Sequence, residues 1–247
     1  MMWDVSQIAV VFLTCPREPS YLAQTLASFA LADARSAQFH AVAVSVDAEG
    51  LECGGELVGL ERLRWRARTV EESKAVAEYH VHRRACANYA RALDLGAAAG
   101  ARGVLVCEDD VVFRDGWVGM LLDSLNEMQG AGLGEFILSL YSAGEHEGSL
   151  RRGRFYSSYP ADCFFGTQAV FFSAGEVAPV REVVWECGVV SPEAPYDLLI
   201  RRRTIAMQHL YTTRCSLVQH IGGVSTGLSC ALHRSPTFER AWPEREG

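Results

Sequence analysis

Three adjacent carboxylates, Glu108-Asp109-Asp110, stand directly after the apolar run Val104-Leu-Val-Cys107. Like charges crowded at one strand end repel one another, so a folded chain accommodates them best where a cation or several donors neutralise the cluster. A hard divalent ion would take one or two of these carboxylates and complete its shell with water and phosphate oxygens, offsetting charge that develops on a diphosphate leaving group. The alternative is an exposed acidic turn, or an acidic lead-in to the helix expected from about Asp115 to Met128. Asp47 ends a second apolar run, Ala41-Val-Ala-Val-Ser-Val46, where a carboxylate emerges at the carboxyl edge of a parallel sheet and faces a ligand crevice. His220 follows the last apolar segment, 215–219, and its imidazole could ligate the same metal or serve a purely structural end. Asp197 lies in Pro195-Tyr-Asp197 at the expected opening of a helix, where a carboxylate either acts as a general base or merely complements the macrodipole. His80-x-His82 falls in a helical pattern, in which positions two apart diverge, so that pair reads as surface.

These residues need a scaffold that brings strand ends together. Ile8-Ala-Val-Val-Phe-Leu13 is a continuous apolar run, the signature of a strand buried on both faces, and it stops at Thr14-Cys-Pro-Arg17. Ser20 is placed to cap a helix carrying Leu22, Leu26, Phe29 and Ala30 at helical spacing. Residues 48–68 show no regular pattern. From Val70 to about Ala99 the chain reads as one helix, with Ala85, Tyr89, Ala92 and Leu93 as its apolar stripe and Arg84 and Asn88 on another face, closed by Gly100 and Gly103. A strand follows at Phe136-Ile-Leu-Ser-Leu-Tyr141, giving the alternation βαβαβαβ and hence a mostly parallel sheet flanked by helices. The stretch 142–159 is rich in Gly, Ser and Arg and reads as a mobile loop, before a short strand at Ala169-Val-Phe-Phe172.

Composition narrows the partners. Of 247 residues, 49% are hydrophobic and 21% charged, which suits a globular α/β protein. Lys and Arg total 23 against 30 Asp and Glu, a net charge of −7, and no basic stripe interleaves with aromatics, so nucleic acid is not expected as a partner. Neither a signal segment nor an integral membrane segment is expected. The eight cysteines form no CxxC pair and several sit in apolar runs, which points to buried thiols in a reducing cytoplasm. Oligomeric state has no sequence signal.

In their order, the strand with Thr14-Cys-Pro-Arg17, the strand ending at Asp47, the helix with Asn88, Glu108-Asp109-Asp110, Gly166-Thr167, Asp197 and His220 resemble the core of GT-A glycosyltransferases. TCPREPSYLAQTLASF, LVCEDDVVF, FFGTQAVFFS and LVQHIGGVST are similar to segments of the N-acetylglucosaminyltransferase IV group and its bacterial relatives, so the resemblance spans about residues 8 to 226. It implies a single GT-A domain over 1–247, with a nucleotide-binding half to about 112 and an acceptor half beyond. It further implies transfer of a sugar from a nucleoside-diphosphate donor, UDP above all, to a glycan or small-molecule hydroxyl, with inversion and with Mn²⁺ or Mg²⁺. Within it, Asp110 is a direct metal ligand and His220 completes the metal site or touches the diphosphate. Glu108 faces the ribose or a metal-bound water, a departure because many members have aspartate there. Asp109 belongs to the same cofactor-binding motif, turned toward the interior. Thr14, Pro16 and Arg17 form the first loop around the nucleotide, Asp47 meets base or ribose, Arg84 and Asn88 border the donor, and Gly166 approaches its sugar. Asp197 is the base, although Tyr196 stands where the family carries an acid, and Glu193 is the second candidate.

Other residues keep two readings. Phe164, Phe165 and the segment Tyr156 to Tyr159 form an acceptor platform or belong to the core. Arg151, Arg152 and Arg154 close over the diphosphate or are solvated, and Arg201 to Arg203 read as a solvated helix face. Two other functions compete: a sugar-phosphate nucleotidyltransferase, which usually needs a glycine-rich loop that Thr14-Cys-Pro-Arg17 lacks, and a non-catalytic nucleotide-binding module.

Overall fold

The computed structural model describes residues 2–49, 63–144, 153–160, 164, 166–190, 194–207, 209–223 and 233–244. The first strand is β1 (Ile8–Thr14), buried along its whole length. It pairs in parallel with β2 (Ala41–Glu49) on one side and with β4 (Gly103–Glu108) on the other. The continuous apolar run has a direct cause: Ile8, Val10 and Phe12 enter one core, while Val11 and Leu13 enter a second core on the opposite face. On the first face α1 (Leu22–Ala32) supplies Leu22, Leu26 and Phe29, and α4 (Trp117–Gly130) supplies Trp117, Leu121 and Leu125. On the second, α3 (Val81–Ala98), α5 (Ala174–Val190) and α6 (Tyr196–Met207) bring Tyr89 and Leu93, Val180 and Val184, and Leu199 and Ile200. Each such buried side chain contributes roughly 1.5–3 kcal/mol, so the two cores rather than the site hold this α/β sandwich together.

Eight strands form the sheet in the order β3-β2-β1-β4-β8-β6-β9-β7, where β3 is Arg64–Arg68, β6 Ile137–Ser139, β7 Tyr156–Ser158, β8 Ala169–Ser173 and β9 Leu210–Thr213. It is mostly parallel, as expected, but β8 runs antiparallel to both β4 and β6, and β7 antiparallel to β9. The reversal of β8 has a consequence for the site. Its amino end, preceded by Gly166-Thr167, arrives beside the carboxyl end of β4, with Glu108 N donating to Gln168 O at 2.9 Å. A second, two-stranded sheet joins β5 (Val111–Phe113) to β10 (Val218–His220), in a register that sets His220 opposite Val111.

Several local expectations are corrected. The stretch 70–99 is two helices, α2 (Val70–Val76) and α3, because it contains two N-caps: Thr69, in a capping box with Glu72, and His80, whose ring accepts from His82 N. That cap also turns the two imidazoles together, stacked at 5.1 Å, so they do not diverge. Ser20 does not cap α1, which starts after Tyr21 without a side-chain cap. Within the stretch read as a mobile loop, Tyr156–Ser158 is the sheet's edge strand, and Tyr156 packs edge-on to Tyr211. Arg203 is not simply solvated but bonds Glu176 at 3.2 Å. Phe164 and Tyr159 lie in the second core and Tyr156 in the first, so none of the three is a platform. Phe165, Arg151, Arg152 and Glu193 fall outside the described residues.

Candidate active site

Parallel strands β1, β2 and β4 end side by side, and the crevice outside their carboxyl ends is where α/β sheets bind ligands. Here it is a cleft of about 930 Å³. The site residues singled out from the sequence line it, Glu193 apart, which lies outside the described residues: Thr14 ending β1 with Pro16 and Arg17 after it, Asp47 on β2, Arg84 and Asn88 on α3, Glu108 ending β4 with Asp109 and Asp110 after it, Gly166 before β8, Asp197 on α6 and His220 on β10.

The acid turn is held from several directions. Thr25, buried in α1, donates from Oγ1 toward the carbonyls of Asp109 and Val111, each at 2.8 Å, and accepts from Val111 N. This pins the backbone that carries the acids. The Asp109 carboxylate accepts from Thr14 Oγ1 and from Arg17 Nη2. Burial pushes its carboxyl up to about 6 against the pull of Arg17 and Thr14. Asp110 Oδ2 accepts from Arg17 Nη1 at 3.0 Å and meets His220 Nε2 at 3.2 Å, while Ile221 N donates to Asp110 O at 2.8 Å. Burial alone would raise the Asp110 carboxyl, but His220 and Arg17 together hold it below the usual range. His220 is shifted the other way: burial is the largest single influence and opposes its charge, but the hydrogen bond to Asp110 and the negative charges of Asp110 and Glu108 together raise it above an ordinary imidazole.

Glu108 points to the other side of the turn. Its Oε1 accepts from Thr167 Oγ1 at 2.8 Å and from Tyr196 Oη at 2.9 Å. Burial, then the neighbouring Asp110, raise its carboxyl to about 7. Tyr196 packs against Tyr89, the two rings tilted by 32° with centres 4.7 Å apart. Asp197, one residue on, accepts from Leu198 N at 2.8 Å and from Gly166 N at 3.4 Å. Gly166 has φ of 79°, a left-handed backbone that favours glycine, which lets its N–H face Asp197.

At the far end, Asp47 lies within β2 rather than at its end, because β2 continues past a register shift to pair Glu49 with Arg68. Its carboxylate pairs with Arg68 Nε at 3.3 Å, and burial raises it against the fields of Arg68, Arg84 and Arg91. Arg84 Nε is buried and makes no hydrogen bond. Asn88 is a strut: Nδ2 donates to Thr14 O and Ser45 O, and Oδ1 accepts from Ser45 Oγ and Arg91 Nη2, so its amide has no spare valence for a nucleotide.

Asp110 and His220 suit a divalent cation. Asp110 Oδ1 is buried without a partner, and Oδ2 already lies at hydrogen-bond distance from His220 Nε2. Gly222 keeps that junction open: a Cβ there would collide with Asp110 Oδ2 and come within 2.9 Å of His220 Nε2. No group of three or more His, Cys, Asp or Glu converges on one point among the described residues. Asp109 is turned to Arg17 and Thr14, away from this pair.

Arg68, Gly222 and the Tyr196 hydroxyl were not picked out from sequence. The alternating Arg64-Trp-Arg-Ala-Arg68 carries a strand period that could have revealed Arg68, and Gly222 stands two residues after His220. Nothing local predicts that Tyr196 reaches Glu108. Cys15, Cys107 and Cys215 are free thiols. Among the described residues no helix is long and apolar enough to cross a membrane.

No family model matches the chain, and no curated protein matches it. Among solved structures, it is similar to the galactosyltransferase LgtC in complex with donor and acceptor sugar analogues, at 13% identity and TM-score 0.45, over 83% of this chain and 72% of that one. An active-site mutant of LgtC is similar at 14% identity and TM-score 0.44, over 78% and 69%. Similarity at this level gives no residue a role.

Proposed function

We propose that the chain is a GT-A type glycosyltransferase that moves a sugar from a nucleoside-diphosphate donor, UDP-linked, to a hydroxyl acceptor with inversion. The observation that carries this reading is the convergence of the sequence-selected residues on one cleft, with Asp110 and His220 3.2 Å apart at its floor. Asp110 and His220 would hold Mn²⁺ or Mg²⁺, which when bound supplies positive charge against the diphosphate. Thr14, Pro16 and Arg17 wrap the nucleotide, Asp47 and Arg84 meet its nucleoside and phosphate groups, and Asn88 holds the strand ends beneath them. Asp197 takes the proton of the acceptor hydroxyl as its oxygen bonds to the anomeric carbon, and the bond to the diphosphate breaks with its electron pair on the leaving group. The weak 3.4 Å contact from Gly166 N leaves Asp197 Oδ2 available for that proton. In this reading the chain is a single domain, with a donor half to about residue 112 and an acceptor half beyond. Its free thiols fit a reducing cytoplasm. The N-acetylglucosaminyltransferase IV group remains the sequence resemblance on which the residue roles rest.

Incubation with a panel of UDP-sugars, Mn²⁺ and hydroxyl acceptors, with UDP release as the readout, tests the reading. Release that needs both the cation and an acceptor supports it. Binding of UDP with no turnover of any UDP-sugar would instead favour a non-catalytic module.

A further inference from the structure

Arg17 occupies the acid turn in a way that its place in a nucleotide loop does not explain. Its guanidinium spans both aspartates, Nη2 to Asp109 Oδ1 and Nη1 to Asp110 Oδ2, the second at 3.0 Å. The side chains of all three residues are almost wholly buried. Its carbon sits 4.8 Å from the centre of the Tyr21 ring, and Nε is buried without a partner. Asp110 Oδ2 is also the oxygen that meets His220. One carboxylate oxygen therefore faces a guanidinium and the prospective second metal ligand together. A divalent cation drawn to Asp110 and His220 would stand a few ångströms from a fixed positive charge, in surroundings that screen it poorly.

We propose that Arg17 is a built-in counter-ion, which holds Asp110 in the nucleotide-free protein and gives it up to the cation only when a nucleoside diphosphate offers the guanidinium another anion. The proposal rests on the functional reading above and adds an order of binding to it. A planar guanidinium bonds phosphate oxygens as well as carboxylates, in the same forked geometry, so its transfer from Asp110 to a diphosphate conserves its hydrogen bonds. Asp109 remains to anchor the other arm of the fork. Cation and nucleotide then bind together, and the cation binds poorly alone.

The test is calorimetric titration of Mn²⁺ into the full chain with and without UDP, for the wild type, Arg17→Gln and Arg17→Lys, with electron paramagnetic resonance of free Mn²⁺ as an independent readout. The wild type is expected to bind Mn²⁺ about tenfold or more tightly with UDP than without it. Without UDP, Arg17→Gln is expected to bind Mn²⁺ about tenfold or more tightly than the wild type, because the competing charge is gone. Arg17→Lys, which keeps the charge, should stay near the wild type. A loss of packing would weaken Mn²⁺ binding, so a gain separates this role from a structural one. Should Arg17→Gln fail to fold, Tyr21→Leu removes the ring beneath the guanidinium and should shift nucleotide-free Mn²⁺ affinity upward by a smaller factor. Nucleotide-free affinity that is unchanged or lower in the folded variant overturns the proposal. If the wild type binds no Mn²⁺ even with UDP, the metal reading itself fails, and that outcome does not depend on Arg17.

Discussion

Two regions of the cleft are built differently. After β4, the carboxylates are gripped by side chains from distant parts of the chain: Thr14 and Arg17 from the first loop, His220 from β10, Thr167 from before β8 and Tyr196 from α6. At the start of α6, Asp197 is held, among the described residues, by two backbone N–H groups, Leu198 and Gly166. A carboxylate caught in a charged network cannot be altered without leaving buried partners unsatisfied, which commonly costs 1–3 kcal/mol or more for each charged group. The amide of Asp197 keeps one oxygen for the 2.8 Å bond from Leu198 N and gives up the weak 3.4 Å contact from Gly166 N, a smaller disturbance. Binding should therefore reside in the first region and chemistry in the second, and the two should separate under mutation.

The largest effect on binding is expected at Asp110. Asp110→Ala removes the shared oxygen between Arg17 and His220, and Mn²⁺-dependent UDP binding should fall by about 100-fold or more, read by calorimetry. Near-normal binding would break the contrast at its stronger end. Asp197→Asn should leave UDP and Mn²⁺ affinity close to the wild type while turnover drops by about 10²- to 10⁴-fold. Were affinity and turnover to fall together, with a marked loss of thermal stability, Asp197 would join the structural network and the contrast would disappear. NMR of the product adds a check: retention of the donor's anomeric configuration would rule out a single displacement with Asp197 as base.

Smaller effects sharpen the boundary. Tyr196→Phe keeps the ring contact with Tyr89 but removes one hydrogen bond to the buried Glu108, so turnover should fall by about tenfold and the melting temperature by a few degrees. Asn88→Ala leaves Ser45 and Arg91 facing a gap, and denaturant unfolding should show a loss of about 1–3 kcal/mol. The pH dependence has a defined sign. His220 must be neutral to ligate, and its raised pKa means that protonation begins at a higher pH than for an ordinary imidazole. Mn²⁺ affinity should therefore decline as pH falls through that value, by up to about tenfold per unit. Without metal the linkage runs the opposite way: the His220–Asp110 bond stabilises the fold most below the unfolded imidazole's pKa, and that stabilisation is lost as pH rises through the folded value.

What the sequence disclosed follows the range of the forces involved. The runs that became β1, β2 and β4 are legible because both faces are buried and their apolar character is unbroken. That legibility extends to the acids, which begin where β4 ends. The break before α3 depends on one N-cap, His80, whose polar bond is invisible to an apolar period. The reversed β8 lies between β4 and β6 although its sequence position follows both, an order set by non-local pairing. β5 and β10 have three residues each, too few to carry a period, yet their register is what brings His220 to Asp110. The Tyr196 hydroxyl, which acts across the fold on Glu108, leaves no local trace.

The most direct test of the central claim, that this cleft is a cation-dependent nucleoside-diphosphate site, is titration of UDP into the wild-type chain with Mn²⁺ and then with the divalent cation chelated. The account predicts one UDP per chain with Mn²⁺, and binding weakened by about tenfold or more on chelation. UDP that fails to bind in the presence of Mn²⁺, or binds equally well without any divalent cation, would contradict it.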